Sequence, residues 1–98
     1  MPHAVIVAPR ARLQLMDILD YLNERSPAAG QRLAERFEAA YRQLSDFPQS
    51  GPRGTVPGTR RLIVAPYTLT YREIGRDILE IIDIRHGRRH PAAPREGN

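Results

Sequence analysis

Hydrophobic and polar positions change their period twice along the chain. Residues 3–9, HAVIVAP, form a short apolar run that predicts a β-strand. From residue 10 to residue 25 the period becomes helical, and the apolar positions lie three or four residues apart. These positions form one stripe of an amphipathic helix: Leu15, Ile18, Leu19 and Leu22.

A second helical segment begins directly after the first. Ser26 is predicted as its N-cap and Pro27 as its first residue, because proline suits the first turn and keeps the residue before it out of the helical region. The helix is predicted to reach about Asp46. So short a link predicts a helical hairpin that buries its apolar stripes on a shared core. The second stripe comprises Leu33, Phe37, Ala40, Tyr41 and Leu44.

The second half of the chain predicts strands. Residues 47–59 contain three prolines and three glycines, which indicates a loop. A two-residue alternation follows, and connections this short favour an antiparallel meander. The three predicted strands are 60–65, 67–74 and 78–86, separated by Pro66 and by a turn at 75–77.

The order β-α-α-β-β-β predicts an α+β domain over residues 1–90, with the helical hairpin on one face of a small antiparallel sheet. Residues 91–98 are predicted to be a flexible tail. The alternation places Tyr67 and Tyr71 on one side of the sheet, and Ile82, Ile84 and His86 on the side opposite Asp83 and Arg85. The open face is expected to carry one of Arg60 and Arg61, together with Thr68, Thr70, Arg72, Asp83 and Arg85.

Composition narrows the class of protein. The chain has 98 residues and no cysteine, which excludes disulfides and cysteine zinc sites. Its apolar runs are far shorter than the roughly 18 residues of a membrane span, so a cytoplasmic protein is expected. Two of the three histidines, His86 and His90, lie beside arginines that would repel a cation, so no metal site is predicted. No cofactor motif is present, and no cofactor is predicted.

The positive charge lies in the second half. All 15 basic residues are arginine, and residues 53–89 hold eight of them against four acids. Coding bias explains the missing lysines as readily as function does, but it does not explain this asymmetry. Arginine suits phosphate and carboxylate, so an anionic partner is indicated, either nucleic acid or an acidic protein segment. A structural role in cross-strand pairs, such as Arg72 with Glu73 or Asp83, is the alternative for single arginines.

Several segments in this order resemble the ParE/RelE superfamily of type II toxins: YLNERSPAAGQRL, FPQSG, RRLIVAPYTLTYRE and HGRR, within about residues 3–89. The resemblance implies a bacterial toxin, with a part in plasmid or stress maintenance, that a cognate antitoxin holds inactive. The antitoxin's C-terminal segment would lie over the helical hairpin and the sheet. The implied antitoxin contacts are Leu15, Leu19, Leu22, Leu33 and Phe37.

The superfamily divides by target. RelE-like members cleave mRNA on the ribosome, and ParE-like members act on DNA gyrase without cleaving RNA. Thr68 stands where a RelE-like nuclease would carry arginine, and no tyrosine follows Tyr71, so the resemblance is closer to ParE. A nuclease would use Arg61, Arg85 and His86, and a non-toxic binding module is the third alternative. The predicted target contacts are Arg60, Arg61, Tyr67, Arg72, Arg85, His86, Arg88 and Arg89.

Overall fold

The computed structural model describes residues 2–87, which form two helices and four strands. The predicted order β-α-α-β-β-β is confirmed. Arg88, Arg89 and the predicted tail at 91–98 lie outside the described residues. The elements are β1 (Ala4–Val7), α1 (Pro9–Arg25), α2 (Pro27–Asp46), β2 (Thr59–Val64), β3 (Tyr67–Gly75) and β4 (Ile78–His86).

One residue joins the two helices. Ser26 is extended, and its Oγ accepts a hydrogen bond from the Ala29 N–H at 3.2 Å, as an N-cap does. Pro27 follows in the first turn of α2, as predicted. Gly30 then lets the helices approach closely, because a Cβ at this position would lie 1.8 Å from Oδ1 of Asn23. The cap and this close contact together fix the hairpin.

The sheet is mixed, with strand order β1-β4-β3-β2. The antiparallel meander of β2, β3 and β4 is confirmed. The prediction that the whole sheet is antiparallel is wrong at one edge, because β1 runs parallel to β4. No hairpin turn sets the direction of β1, since both helices separate it from the other strands along the chain.

An extra residue in β4 shifts the alternation that the sequence predicted. Thr70 pairs with Asp83, but the next residue, Tyr71, pairs with Ile81, so Ile82 forms a bulge. Ile82 therefore lines the open face together with Asp83. The prediction that Ile82 shares the face of Ile84 is wrong, since Ile84 is buried in the core on the other side.

The helices cover one face of the sheet, as predicted. The stripe of α1 (Leu15, Ile18, Leu19 and Leu22) packs against the core while staying partly accessible, and Ala11 is the buried residue of that helix. Helix α2 contributes more to the interior because four of its stripe residues are buried. The core consists of Ala11, Leu33, Phe37, Ala40, Leu44, Val64, Leu69, Tyr71, Leu79, Ile81 and Ile84.

Tyr71 ties the loop before β2 to the covered face. Its hydroxyl donates to the Pro48 carbonyl at 2.8 Å and accepts from the Gly51 N–H at 3.1 Å. Arg60 pairs with Tyr71 across the strands, and its Nη1 donates to the Gly51 carbonyl at 2.8 Å. Arg61 pairs with Thr70 instead and lies on the open face. The pairing of β2 with β3 therefore places Arg61 on the open face and Arg60 on the covered face.

Candidate functional site

A cavity of about 460 Å³ lies on the open face of the sheet. Three strands, the loop before β2 and the start of α1 contribute to it, so it gathers residues from distant parts of the chain. It is called the open-face cavity below. Its lining comprises Arg10, Gly54, Thr55, Val56, Thr59, Arg61, Thr68, Thr70, Ile82, Asp83 and Arg85.

Threonines form the floor of this cavity. Thr59 and Thr68 are buried although they lie on the open face, and Thr70 is half-buried. The Thr59 hydroxyl donates to the Val56 carbonyl at 2.6 Å, and its carbonyl accepts from the Gly54 N–H at 2.8 Å. These two bonds hold the loop at the cavity edge, so the position of Val56 is fixed by β2.

The strongest ion pair of the cavity joins Arg85 to Asp83. The Arg85 guanidinium donates from Nε to Oδ2 at 2.6 Å and from Nη2 to Oδ1 at 2.9 Å. This two-point contact is the geometry in which arginine binds a carboxylate best. Arg10, at the start of α1, brings its Nη2 within 3.4 Å of Oδ1 of Asp83. One carboxylate is therefore shared by two guanidinium groups.

These contacts keep Asp83 ionised. Burial raises the pKa of its carboxyl, but the hydrogen bonds from Arg85 and Gln14 and the charges of Arg85 and Arg10 outweigh burial, so the pKa lies below its ordinary value. The same pair raises the pKa of Arg85, with the hydrogen bond to Asp83 as the main cause. A carboxylate held in this way is a weak base near neutral pH.

Gln14 connects α1 to the cavity, and sequence reasoning missed it. Its Nε2 donates to Asp83 Oδ1 at 3.0 Å, and its Oε1 accepts from the Ile84 N–H at 2.8 Å. Strand β1 pairs with β4 only as far as Ile81, so the backbone N–H of Ile84 has no partner in β1 and is satisfied by Gln14 instead. Arg10 and Gln14 lie one helical turn apart, but this spacing does not show that either residue contacts Asp83 until the packing of α1 beside β4 is known.

Of the predicted target contacts within residues 2–87, the structure brings two together in the cavity, Arg61 and Arg85. Arg72 shares the open face but lies outside the cavity. Its partner is Glu80, with Nη2 3.0 Å from Oε1, and not Glu73 or Asp83. Arg60 is on the covered face, where it bonds to the loop.

Tyr67 and His86 also lie on the covered face. They pair across β3 and β4, and their rings meet edge to face with centroids 5.5 Å apart. Tyr67 further contacts the buried ring of Phe37, with centroids 6.3 Å apart. The predicted nuclease set is therefore divided, because Arg61 and Arg85 line the cavity while His86 lies on the other side of the sheet.

The cavity is equipped to bind an anion rather than to transfer a proton. Among its described lining residues, the only carboxylate is ion-paired and there is no histidine or tyrosine. Three arginines against one aspartate give a formal net charge of +2. Within residues 2–87 no cluster of three His, Asp or Glu side chains could hold a metal ion.

The five predicted antitoxin contacts are mostly internal. Leu33 and Phe37 are buried in the core, and the three leucines of α1 pack against it. Contacts from these side chains to a partner stay a prediction, but Leu33 and Phe37 have almost no accessible surface to offer. The exposed apolar side chains of α1 are different ones: Leu13, Met16 and Tyr21.

Comparison with known proteins identifies the family. The family model described as "ParE toxin of type II toxin-antitoxin system, parDE" matches residues 5–91. The chain belongs to this ParE toxin family. It is thus a toxin of a type II toxin–antitoxin system, and the resemblance to the ParE/RelE superfamily is confirmed.

Two curated relatives of this toxin carry toxin names. "Toxin RelE2" of Caulobacter vibrioides is 34% identical over 80 residues, which span 82% of this chain and 90% of the relative. "Putative toxin Y4kP" of Sinorhizobium fredii is 37% identical over 79 residues, which span 79% of this chain and 80% of the relative. The family model carries the name ParE, whereas the first of these relatives carries the name RelE.

Solved structures agree on the fold. A chromosomal ParDE system from P. aeruginosa matches with a TM-score of 0.73 and 20% identity, covering 86% of this chain and 95% of the other. The RelBE2 toxin–antitoxin complex of Mycobacterium tuberculosis matches with a TM-score of 0.65 and 23% identity, covering 88% and 99%. The described part of the toxin contains no helix long and apolar enough to cross a membrane.

Proposed function

We propose that this toxin inhibits DNA gyrase by binding to it in the cytoplasm and does not cleave RNA. The observation that carries the proposal is the separation of His86 from Arg61 and Arg85 by the thickness of the sheet. An acid–base group must come within hydrogen-bond reach of the reacting atoms that the arginines hold. The match to the ParE family model supports gyrase as the target.

The proposal includes a cognate antitoxin that neutralises the toxin. The two solved structures described above are toxin–antitoxin systems, which supports such a partner. Leu13 and Met16, one helical turn apart on α1, are both exposed and give that partner an apolar surface on the hairpin, because exposed apolar side chains that lie together mark interaction sites. These side chains do not line the open-face cavity, which is left for the target.

A supercoiling reaction tests the target. Purified toxin is added in stoichiometric excess to gyrase, relaxed plasmid and ATP, and the plasmid is analysed on a gel. We expect supercoiling to stop, while relaxation by a type I topoisomerase under the same conditions continues. Full supercoiling by gyrase at that excess would exclude gyrase as the target.

The second candidate is a ribosome-dependent mRNA endonuclease. The name of one curated relative, "Toxin RelE2", favours it. Its test is cleavage of ribosome-bound mRNA by wild-type toxin and by His86→Ala. His3→Ala is the matched control, because His3 bonds to Glu73 on a distant part of the sheet. Cleavage that is lost in the first variant and kept in the second would replace the gyrase proposal.

A further inference from the structure

We infer that the open-face cavity receives an acidic segment of a protein partner, which places one carboxylate on Arg61 and an apolar side chain against Val56, with Ile63 just outside the cavity on the same strand as Arg61. This inference deepens the proposed function and rests on it in one respect, that the toxin acts by binding a protein. The binding segment would be acidic with an apolar side chain beside the carboxylate, and the open-face cavity would receive it.

Arg61 is the guanidinium group of the cavity whose charge is unmatched. It is half-buried, and no ion pair joins it to a carboxylate anywhere in residues 2–87. Arg85 and Arg10 already share Asp83, and Arg72 is paired with Glu80. A half-buried cation attracts a carboxylate more strongly than an exposed one, because water screens it less. An incoming carboxylate therefore gains most at Arg61.

Asp83 also sets where the incoming charge lies. Its lowered pKa means that it stays negative at neutral pH and repels a second anion placed on Arg85. The repulsion leaves the Arg61 side of the cavity as the favourable position. The segment is thus directed toward β2, away from β4.

Exposed apolar side chains lie on that same side. Val56, on the neighbouring loop, lines the cavity and is 61% exposed. Ile63 follows Arg61 by two positions in β2 and is 65% exposed, but it lies outside the cavity lining, at the edge of the sheet next to α2. Val56 lines the cavity together with Arg61, and the bond from Thr59 to its carbonyl fixes its position. Arginine beside fixed apolar side chains is a composition typical of protein interfaces.

The same surface is poorly suited to nucleic acid. Single strands are held by aromatic rings that stack on bases and by several unpaired cations along the backbone. No aromatic side chain is among the described residues of the cavity lining. Tyr67 and Tyr71 belong to the covered face, and the formal net charge of the cavity is only +2.

Binding of three probes to ¹⁵N-labelled full-length toxin tests the inference. The first probe is a ten-residue peptide with alternating glutamate and leucine, the second has glutamine in place of each glutamate, and the third is an oligouridylate with the charge of the first. We expect the glutamate peptide alone to shift the amide signals of Arg61, Ile63, Thr68 and Thr70. Arg61→Gln should weaken its binding about tenfold, the effect of removing one charge-assisted contact.

Two further variants complete the test. Ile63→Ser should weaken the glutamate peptide about threefold, since it removes apolar contact area. Arg42→Gln makes the same change of charge at an exposed position of α2, on the other side of the sheet, and should leave the affinity within twofold. Denaturation curves of all variants establish that each is folded.

Three results would overturn the inference. One is absence of binding by the glutamate peptide at millimolar concentration, and another is equal binding of the glutamate and glutamine peptides. The third is tighter, Arg61-dependent binding of the oligouridylate, which would assign the cavity to RNA. The gyrase reaction is run separately. If Arg61→Gln inhibits gyrase as well as wild type does, the binding site inferred here is refuted while the proposed target stands. If wild type does not inhibit gyrase, the proposed target is refuted but the binding site is not.

Discussion

The two faces of the sheet use alternate residues of the same strands for opposite purposes. On the covered face, Leu69, Tyr71 and Ile84 are almost fully buried beneath the helices. On the open face, their neighbours Thr70 and Asp83 line a cavity that holds three arginines. Because the side chains of a strand alternate, residues that stabilise the fold and residues that we propose to bind a partner follow one another along the same strand. Substitutions on the covered face should change the free energy of unfolding, and substitutions on the open face should mainly change binding.

The largest effect is expected for Phe37→Ala, at the centre of the covered face. Phe37 is 1% exposed and contacts the rings of both Tyr41 and Tyr67. Removal of a buried phenylalanine ring leaves a cavity and costs about 3–5 kcal/mol of unfolding free energy. The quantity is measured by urea denaturation followed by circular dichroism.

Phe47→Ala is the matched control, because Phe47 is 65% exposed just after α2. Its unfolding free energy should stay within about 0.5 kcal/mol of wild type. If both phenylalanine variants lose a similar amount, the assignment of the core to the covered face is wrong.

A smaller loss is expected for Tyr71→Phe, which keeps the buried ring and removes its hydroxyl. The Gly51 N–H and the Pro48 carbonyl then lose their partner, and unsatisfied buried groups cost about 1–3 kcal/mol. Tyr21→Phe removes the same hydroxyl from an exposed ring of α1 and should change unfolding by less than about 0.5 kcal/mol. Equal stability of Tyr71→Phe and wild type would show that the loop is held without this hydroxyl.

Local patterns were enough to predict most of the covered face. Helix stripes, the Ser26–Pro27 cap and the alternation of β3 depend on neighbours within a few residues, so the sequence carries them directly. The direction of β1 depends on which strand it meets after the chain has folded, and this was predicted wrongly. The bulge at Ile82 is also non-local, because it exists only in the pairing with β3.

The open-face cavity was only partly predictable for the same reason. Its strand residues Arg61, Thr68, Thr70 and Arg85 follow from alternation once a register is chosen. Gln14 is different, because it joins β4 through contacts about 70 positions apart in sequence. Periodicity gives the face of a helix but not the strand on which it packs. Charge counting had the same limit, since it located an arginine-rich half but not the carboxylates that neutralise Arg72 and Arg85.

The smallest effect should be the pH dependence contributed by Asp83. Its pKa in the folded toxin is below the ordinary value of 3.8, so the unfolded chain binds its proton first. The ion pair therefore stabilises the fold fully above about pH 4, and the contribution disappears as pH falls through the lower folded pKa. For a partly accessible pair the contribution should be less than about 1 kcal/mol.

Asp83→Asn should thus be slightly less stable than wild type at pH 7, and the difference should vanish in urea titrations toward pH 2. Asp20→Asn, at an exposed position of α1, should show no such difference at either pH. A deficit of Asp83→Asn that persists or grows in acid would mean that packing, and not charge, holds Arg85 in the cavity.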